Sequence, residues 1–160
     1  MGESSSVPDS QDTAQMIELA TVQERVAGSA EAIWHLLTDF GHPQTLAPTI
    51  IAASVTGDGP GAVRVVTSSR GLEIHEKLIT CDRAGYLFRY SILDSGDMPF
   101  AHVTSYTCTV RLVPLSDAIT QIHWRSDGTV DGPLQPIRDF LTTLYRNANR
   151  RIADQIGKTS

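Results

Sequence analysis

Cysteine occurs only twice in this 160-residue chain, at Cys81 and Cys108. Neither position has metal-ligand spacing, so reduced, intracellular thiols are expected. Long apolar runs are absent: no stretch of 18 apolar residues occurs, which excludes a transmembrane helix. The opening Met-Gly-Glu-Ser-Ser-Ser-Val-Pro has neither a basic nor an apolar leader region, so no secretory signal is expected. Its Met-Gly-x-x-x-Ser start fits the myristoylation pattern, but a solvated tail suits its polarity better. Positive charge is in deficit, with 13 Lys and Arg against 18 Asp and Glu and a net charge of −5. That argues against nucleic acid or an anionic membrane as partner. There is no His-x-x-x-His, no Cys-x-x-Cys and no carboxylate cluster, so no protein-held metal is expected. There is no dinucleotide fingerprint either, and the turn Gly57 to Gly61 lacks the lysine of a phosphate loop; no cofactor is expected. No internal repeat is visible.

What is present is a long amphipathic helix preceded by strands. From Pro133 to Ile156, apolar residues fall at Ile137, Phe140, Leu141, Leu144, Ala148, Ile152 and Ile156. Those spacings make one stripe on a helix, with Arg138, Asp139, Arg146, Arg150 and Arg151 opposite. Gly132 and Pro133 mark its start and Gly157 its end. About 24 residues give a rod of roughly 36 Å, which needs a large apolar partner.

The rest of the chain supplies one. Residues 1–15 read as a disordered tail, 16–157 as one domain and 158–160 as a second tail. Met16 to Val26 reads as a strand, Ser29 as the N-cap of a helix over Ala30 to Thr38, and Gln44 to Ala47 as a second short helix ended by Pro48. Strands follow at Ile50 to Thr56, Ala62 to Ser69, Leu72 to Cys81, Tyr86 to Leu93, His102 to Val113 and Ile119 to Val130, separated by short turns and the loop Asp94 to Ala101. The expected fold is α+β: a curved, seven-stranded antiparallel sheet gripping the long C-terminal helix. The space a helix leaves in such a sheet is a cavity, where apolar ligands bind.

Several fragments in this order carry a family resemblance. They are Ala32-Ile33-Trp34-His35-Leu36-Leu37-Thr38-Asp39-Phe40, Gly59-Pro60-Gly61-Ala62-Val63-Arg64, Glu76-Lys77-Leu78 with Asp82, Phe88-Arg89-Tyr90-Ser91-Ile92, and His123-Trp124. The chain resembles the START/Bet v 1-like (SRPBCC) superfamily, in its polyketide cyclase/dehydrase-like group, over roughly residues 16 to 156. Bacterial MxaD-like members look nearest. Pro43-Gln44-Thr45 and Ile50 to Val55 distantly resemble plant abscisic acid receptors. However, Ala47 replaces their carboxylate-holding lysine, Ser69-Arg70-Gly71-Leu72 is a reduced form of their gate loop, and their latch is absent, so a hormone receptor is not expected. The resemblance implies a cytoplasmic, bacterial protein, monomer or homodimer, with a cavity for a hydrophobic or amphipathic small molecule. Some relatives catalyse cyclisation, aromatisation or dehydration of polyketide-like carbonyl compounds without a cofactor, and others only bind or sense.

Strand alternation nominates residues inside that cavity. Glu76 shares a face with Leu72, Ile74 and Leu78. A carboxylate there is either a catalytic acid or base, or the partner of a buried cation such as Arg64. His102, at a loop-to-strand junction expected near the cavity mouth, is a second candidate base, or simply a solvated loop histidine. Tyr106 and Tyr90 face inward and would grip a ring while donating to an oxygen, unless their hydroxyls are satisfied within the core. Arg64 would anchor a carboxylate or carbonyl, or lie in solvent at a strand end. Trp124, Phe88 and Leu141 would form wall or plain core. Tyr145 and Asn149 sit at the edge of the helix stripe, where an amide more often faces water. His35, His42, His75 and His123 show no partner pattern. Two functions stay open: an enzyme in which Glu76 or His102 moves a proton, and a binder, carrier or sensor. A third possibility is that side chains fill the space.

Overall fold

The chain path is one sheet wound around one helix. The computed structural model describes residues 15–94 and 96–159. Its strands are β1 (Ile17–Ala27), β2 (Ile50–Thr56), β3 (Val63–Ser68), β4 (Glu73–Asp82), β5 (Leu87–Ile92), β6 (Val103–Pro114) and β7 (Ile119–Val130). They pair antiparallel in the order β1-β7-β6-β5-β4-β3-β2. The path from β1 to β2 runs through helix α1 (Ala30–Leu37) and a 3-10 turn at Pro43–Thr45. Helix α2 (Leu134–Thr159) packs mainly on β1, with α1 and β7 beside it. This is the expected helix-grip architecture, and the β-strand boundaries differ from expectation by at most one residue.

Local chemistry explains the elements. Ser29 caps α1 by accepting from Ala32 N at 3.1 Å, satisfying an otherwise orphaned amide. On β3, β4, β6 and β7 the buried positions alternate along most of the strand, as a half-solvated sheet requires. They are Arg64, Val66 and Ser68 on β3; Ile74, Glu76 and Leu78 on β4; Tyr106, Cys108, Val110 and Leu112 on β6; and Ile122, Trp124 and Ser126 on β7. The register shifts at Glu18/Ala20, Ile50/Ala52, Leu78/Thr80 and Val103/Ser105. Such bulges bend strands and increase local twist, so the sheet can wrap the helix.

Four expectations change. The second short helix is a single 3-10 turn, because Pro43 opens it and the residue before Pro48 disfavours helical geometry. The long helix continues past Gly157 to Thr159, since a glycine at an exposed helix end need not terminate it. On its apolar stripe, Phe140 is 53% exposed while Tyr145 and Asn149 are buried. The buried face is therefore turned toward the 141–145–149 row. Arg138 and Arg151, expected in solvent, instead pin the helix flanks. Arg138 donates to Leu19 O and Glu18 O, and Arg151 donates to Thr45 O at 3.3 Å. The expected tail at residues 1–15 lies outside the described residues except for Gln15.

Candidate functional site

A cavity of about 110 Å³ lies between the concave sheet and α2, capped by α1 and the 3-10 turn. Arg64, Phe88, Tyr90, Val110 and Trp124 reach it from the sheet; Leu144, Tyr145 and Ala148 reach it from α2. The cap contributes Leu36, Leu37, Asp39, Pro43, Leu46 and Ala47.

Arg64 is the charged centre of this wall. It stands directly across the β3–β4 pair from Glu76, and its Nε donates to Glu76 Oε1 at 2.5 Å. Its Nη1 donates to Phe40 O at 3.2 Å. The guanidinium carbon lies 4.2 Å from the Phe40 ring centroid and 5.2 Å from that of Tyr90, which adds cation–π attraction in a desolvated place. Among the described residues, no acceptor meets Nη2. A guanidinium held on three sides, bordering a cavity, offers its remaining donors to an oxygen inside.

Next to Arg64 is a cluster of phenols around a thiol. The Tyr106 and Tyr145 hydroxyls are hydrogen-bonded at 2.5 Å, and the Cys108 thiol lies among the hydroxyls of Tyr90, Tyr106 and Tyr145. Burial, with Cys108 close by, holds all three phenols well above their ordinary range. Burial also pushes the Cys108 thiol up to about 11. At neutral pH these groups are protonated, so the wall consists of donors. Trp124 forms the floor: its ring stacks on Tyr145 at 5.0 Å with 10° between planes. Its Nε1 donates to Asn149 Oδ1 at 2.7 Å, and Asn149 Nδ2 donates to Glu24 Oε1 at 2.8 Å.

Of the residues nominated from sequence, Arg64, Phe88, Tyr90, Trp124 and Tyr145 meet at this cavity. Tyr106 joins them through its bond to Tyr145, Asn149 supports Trp124 from behind, and Leu141 is buried core. Glu76 sits behind Arg64 as its counter-ion and does not line the space. His102 lies elsewhere, in the left-handed region with φ 67°. Its exposed ring pairs with Asp131 at 3.2 Å, because the β6 start it occupies runs toward the N-terminal end of α2, away from the α1 cap. Sequence reading missed Asp39, the carboxylate on the wall, which pairs with His42 Nδ1 at 2.9 Å. It also missed Phe40 beneath Arg64. Both lie in an irregular segment where no periodicity tells direction. Among the described residues, no group of three His, Cys, Asp or Glu is placed to hold a metal, and no helix is long and apolar enough to cross a membrane.

Comparison with known proteins now decides the family. The family model described as polyketide cyclase / dehydrase and lipid transport matches residues 19–157. The chain belongs to that family. Solved structures agree on the fold. Protein XoxI from Bacillus cereus is 20% identical with a TM-score of 0.72, covering 85% of this chain and 93% of that one. Norcoclaurine synthase from Thalictrum flavum, solved with dopamine and hydroxybenzaldehyde, is 23% identical with a TM-score of 0.70, covering 91% and 88%. Ara h 8.0201 is 17% identical with a TM-score of 0.73, covering 90% and 99%. No curated protein sequence matches the chain. The family and the fold expected from the sequence are thereby established.

Proposed function

We propose that this family member binds a small, mostly apolar molecule through a carbonyl or carboxylate oxygen held at Arg64. The single observation behind this reading is the Arg64 guanidinium on the cavity wall, neutralised from behind by Glu76 and with Nη2 unclaimed by any described residue. Leu36, Leu37, Leu46, Phe88, Val110 and Trp124 would surround the apolar part of the ligand. Tyr90 would grip a ring edge and donate a second hydrogen bond. In such a site polar groups set orientation while apolar contacts supply most of the affinity. Native mass spectrometry of the protein from its own host, beside a denatured control, tests this. A released compound bearing a carbonyl or carboxylate, and its loss from Arg64→Met, is the expected result. A hydrocarbon without such an oxygen, equally retained by the variant, would overturn the reading.

Catalysis of cyclisation or dehydration on a carbonyl substrate is the second reading. One observation favours it: Arg64 and Tyr90 border one wall as donors, suited to stabilising the charge an enolate oxygen gains. The proton acceptor would then be Asp39, which lines the inner cavity where Glu76 and His102 do not. Turnover of the co-purified compound that falls at least about a hundredfold in Asp39→Asn, with binding retained, would support the enzyme. Binding without turnover by the native protein would leave a carrier or sensor.

A further inference from the structure

A second, larger hollow of about 360 Å³ opens at the surface around Phe100, Ile137 and Phe140, with Pro99, Pro133 and Pro136 at its sides. It lies along the same helix as the inner cavity. Helix α2 presents Ile137 and Phe140 to the groove and Leu144, Tyr145 and Ala148 to the cavity. Ile137 and Tyr145 are about 12 Å apart along the axis.

A chain of aromatic contacts links the two spaces. The Phe100 ring lies 5.5 Å from Phe140, in the groove, and 5.1 Å from Tyr106. Tyr106 in turn bonds through its hydroxyl to that of Tyr145, which lines the inner cavity. This bridge has a ready substitute: Ser126 Oγ is fully buried with no hydrogen-bond partner among the described residues, and Ser126 stands across the β6–β7 pair from Cys108, whose thiol lies among the same tyrosine hydroxyls. Turning the Tyr145 hydroxyl to Ser126 would satisfy an orphaned atom while releasing Tyr106, so opening the bridge loses little net hydrogen bonding.

We propose that the groove and the inner cavity are two halves of one ligand site, divided in the free protein by Phe100 and the Tyr106–Tyr145 bridge. The groove takes the apolar tail, alkyl or phenyl, of the molecule whose oxygenated head sits at Arg64. This rests on the reading of Arg64 given above. Size supports it: about 110 Å³ is well below the roughly 300–1,000 Å³ of ordinary ligand sites, so the inner cavity holds a head group and the tail must go elsewhere. The exposure of Phe140, at 53%, leaves apolar surface that such a tail would cover.

Equilibrium binding of 4-alkylbenzoates, from 4-ethyl to 4-octyl, to the full-length protein tests the proposal. Affinity should rise about threefold per added methylene once the tail passes the partition. Phe140→Asp, a change at an exposed position, should weaken 4-octylbenzoate at least tenfold and leave 4-ethylbenzoate unchanged. Tyr106→Phe, which removes the bridge and keeps the ring, should favour 4-octylbenzoate selectively. Affinity independent of chain length, with Phe140→Asp affecting neither compound, would overturn the two-part site while leaving the Arg64 head site standing. Failure of every member to bind, in the native protein as in Arg64→Met, would sink the head site and this inference together.

Discussion

Arg64 and Glu76 face each other across β3 and β4 and join at 2.5 Å, with both side chains almost fully enclosed. Each charge is tolerable there only because of the other. Removing the carboxylate strands a guanidinium that still has Phe40 O and two aromatic faces but no counter-charge. Glu76→Leu should lower stability by about 3 kcal/mol, and Arg64→Met with Glu76→Leu by less than the sum of the two single changes. Urea unfolding of the four proteins checks this; additive losses would show that the two side chains are not energetically coupled.

Alkaline pH should weaken the fold through the thiol and phenol cluster. Burial moves Cys108 from its ordinary 9.0 to about 11. The unfolded chain therefore loses this proton first. The stability that the protonated thiol contributes is intact below about pH 9 and is lost as pH rises toward 11, by about 3 kcal/mol at most. Tyr90, Tyr106 and Tyr145, also held above their ordinary value, extend the loss beyond pH 10. Urea midpoints should be flat from neutral pH to about 9 and then fall, less steeply in Cys108→Ala. In native labelling by a thiol reagent, the exposed Cys81 should react and Cys108 should wait for unfolding.

Asn149 joins Trp124 to Glu24. In Asn149→Leu the buried indole N–H loses its acceptor, which costs about 2 kcal/mol. The Trp124 ring should also lose its register on Tyr145, shifting the tryptophan emission. An unchanged spectrum would mean that packing alone holds the ring.

Gly128 sits in β7 between the β1 and β6 bulges. A Cβ there would meet Ser105 O at 2.1 Å and Leu19 Cδ1 at 3.0 Å. Backbone cannot move aside without breaking two ladders, so Gly128→Ala should destabilise by at least about 2 kcal/mol. Thermal or urea unfolding checks it, with Gly59→Ala, which has open space around it but a positive φ, as the milder control.

The strands were legible because each shows one buried and one solvated face. That period of two also placed Arg64, Glu76, Tyr106 and Trp124 on the inner side before any coordinates. It left the choice between a working carboxylate and a counter-ion open at Glu76. Only the cross-strand register, which sets Glu76 opposite Arg64, makes the ion pair. His102 falls at the outer hollow rather than at the inner cavity, because alternation says which face a strand residue takes but not at which end of the sheet a loop lies. Asp39 as a wall residue and Phe40 as the ring beneath Arg64 were invisible, being in a segment without a period. Tyr145 and Asn149 were undervalued because the stripe was centred on Phe140, whereas the bent sheet meets the helix one position around.

By itself, then, the sequence determined the element order, the sheet's inner face and the gripping helix. These follow from periodicity and from cap and turn residues, which act over a few neighbouring positions. Tertiary structure alone decided which residues touch: Arg64 with Glu76 and Phe40, Tyr106 with Tyr145, and Phe100 with Tyr106 and Phe140. Those contacts depend on register, bulges and helix rotation, and each is set by packing summed over the whole sheet rather than by any local stretch of chain.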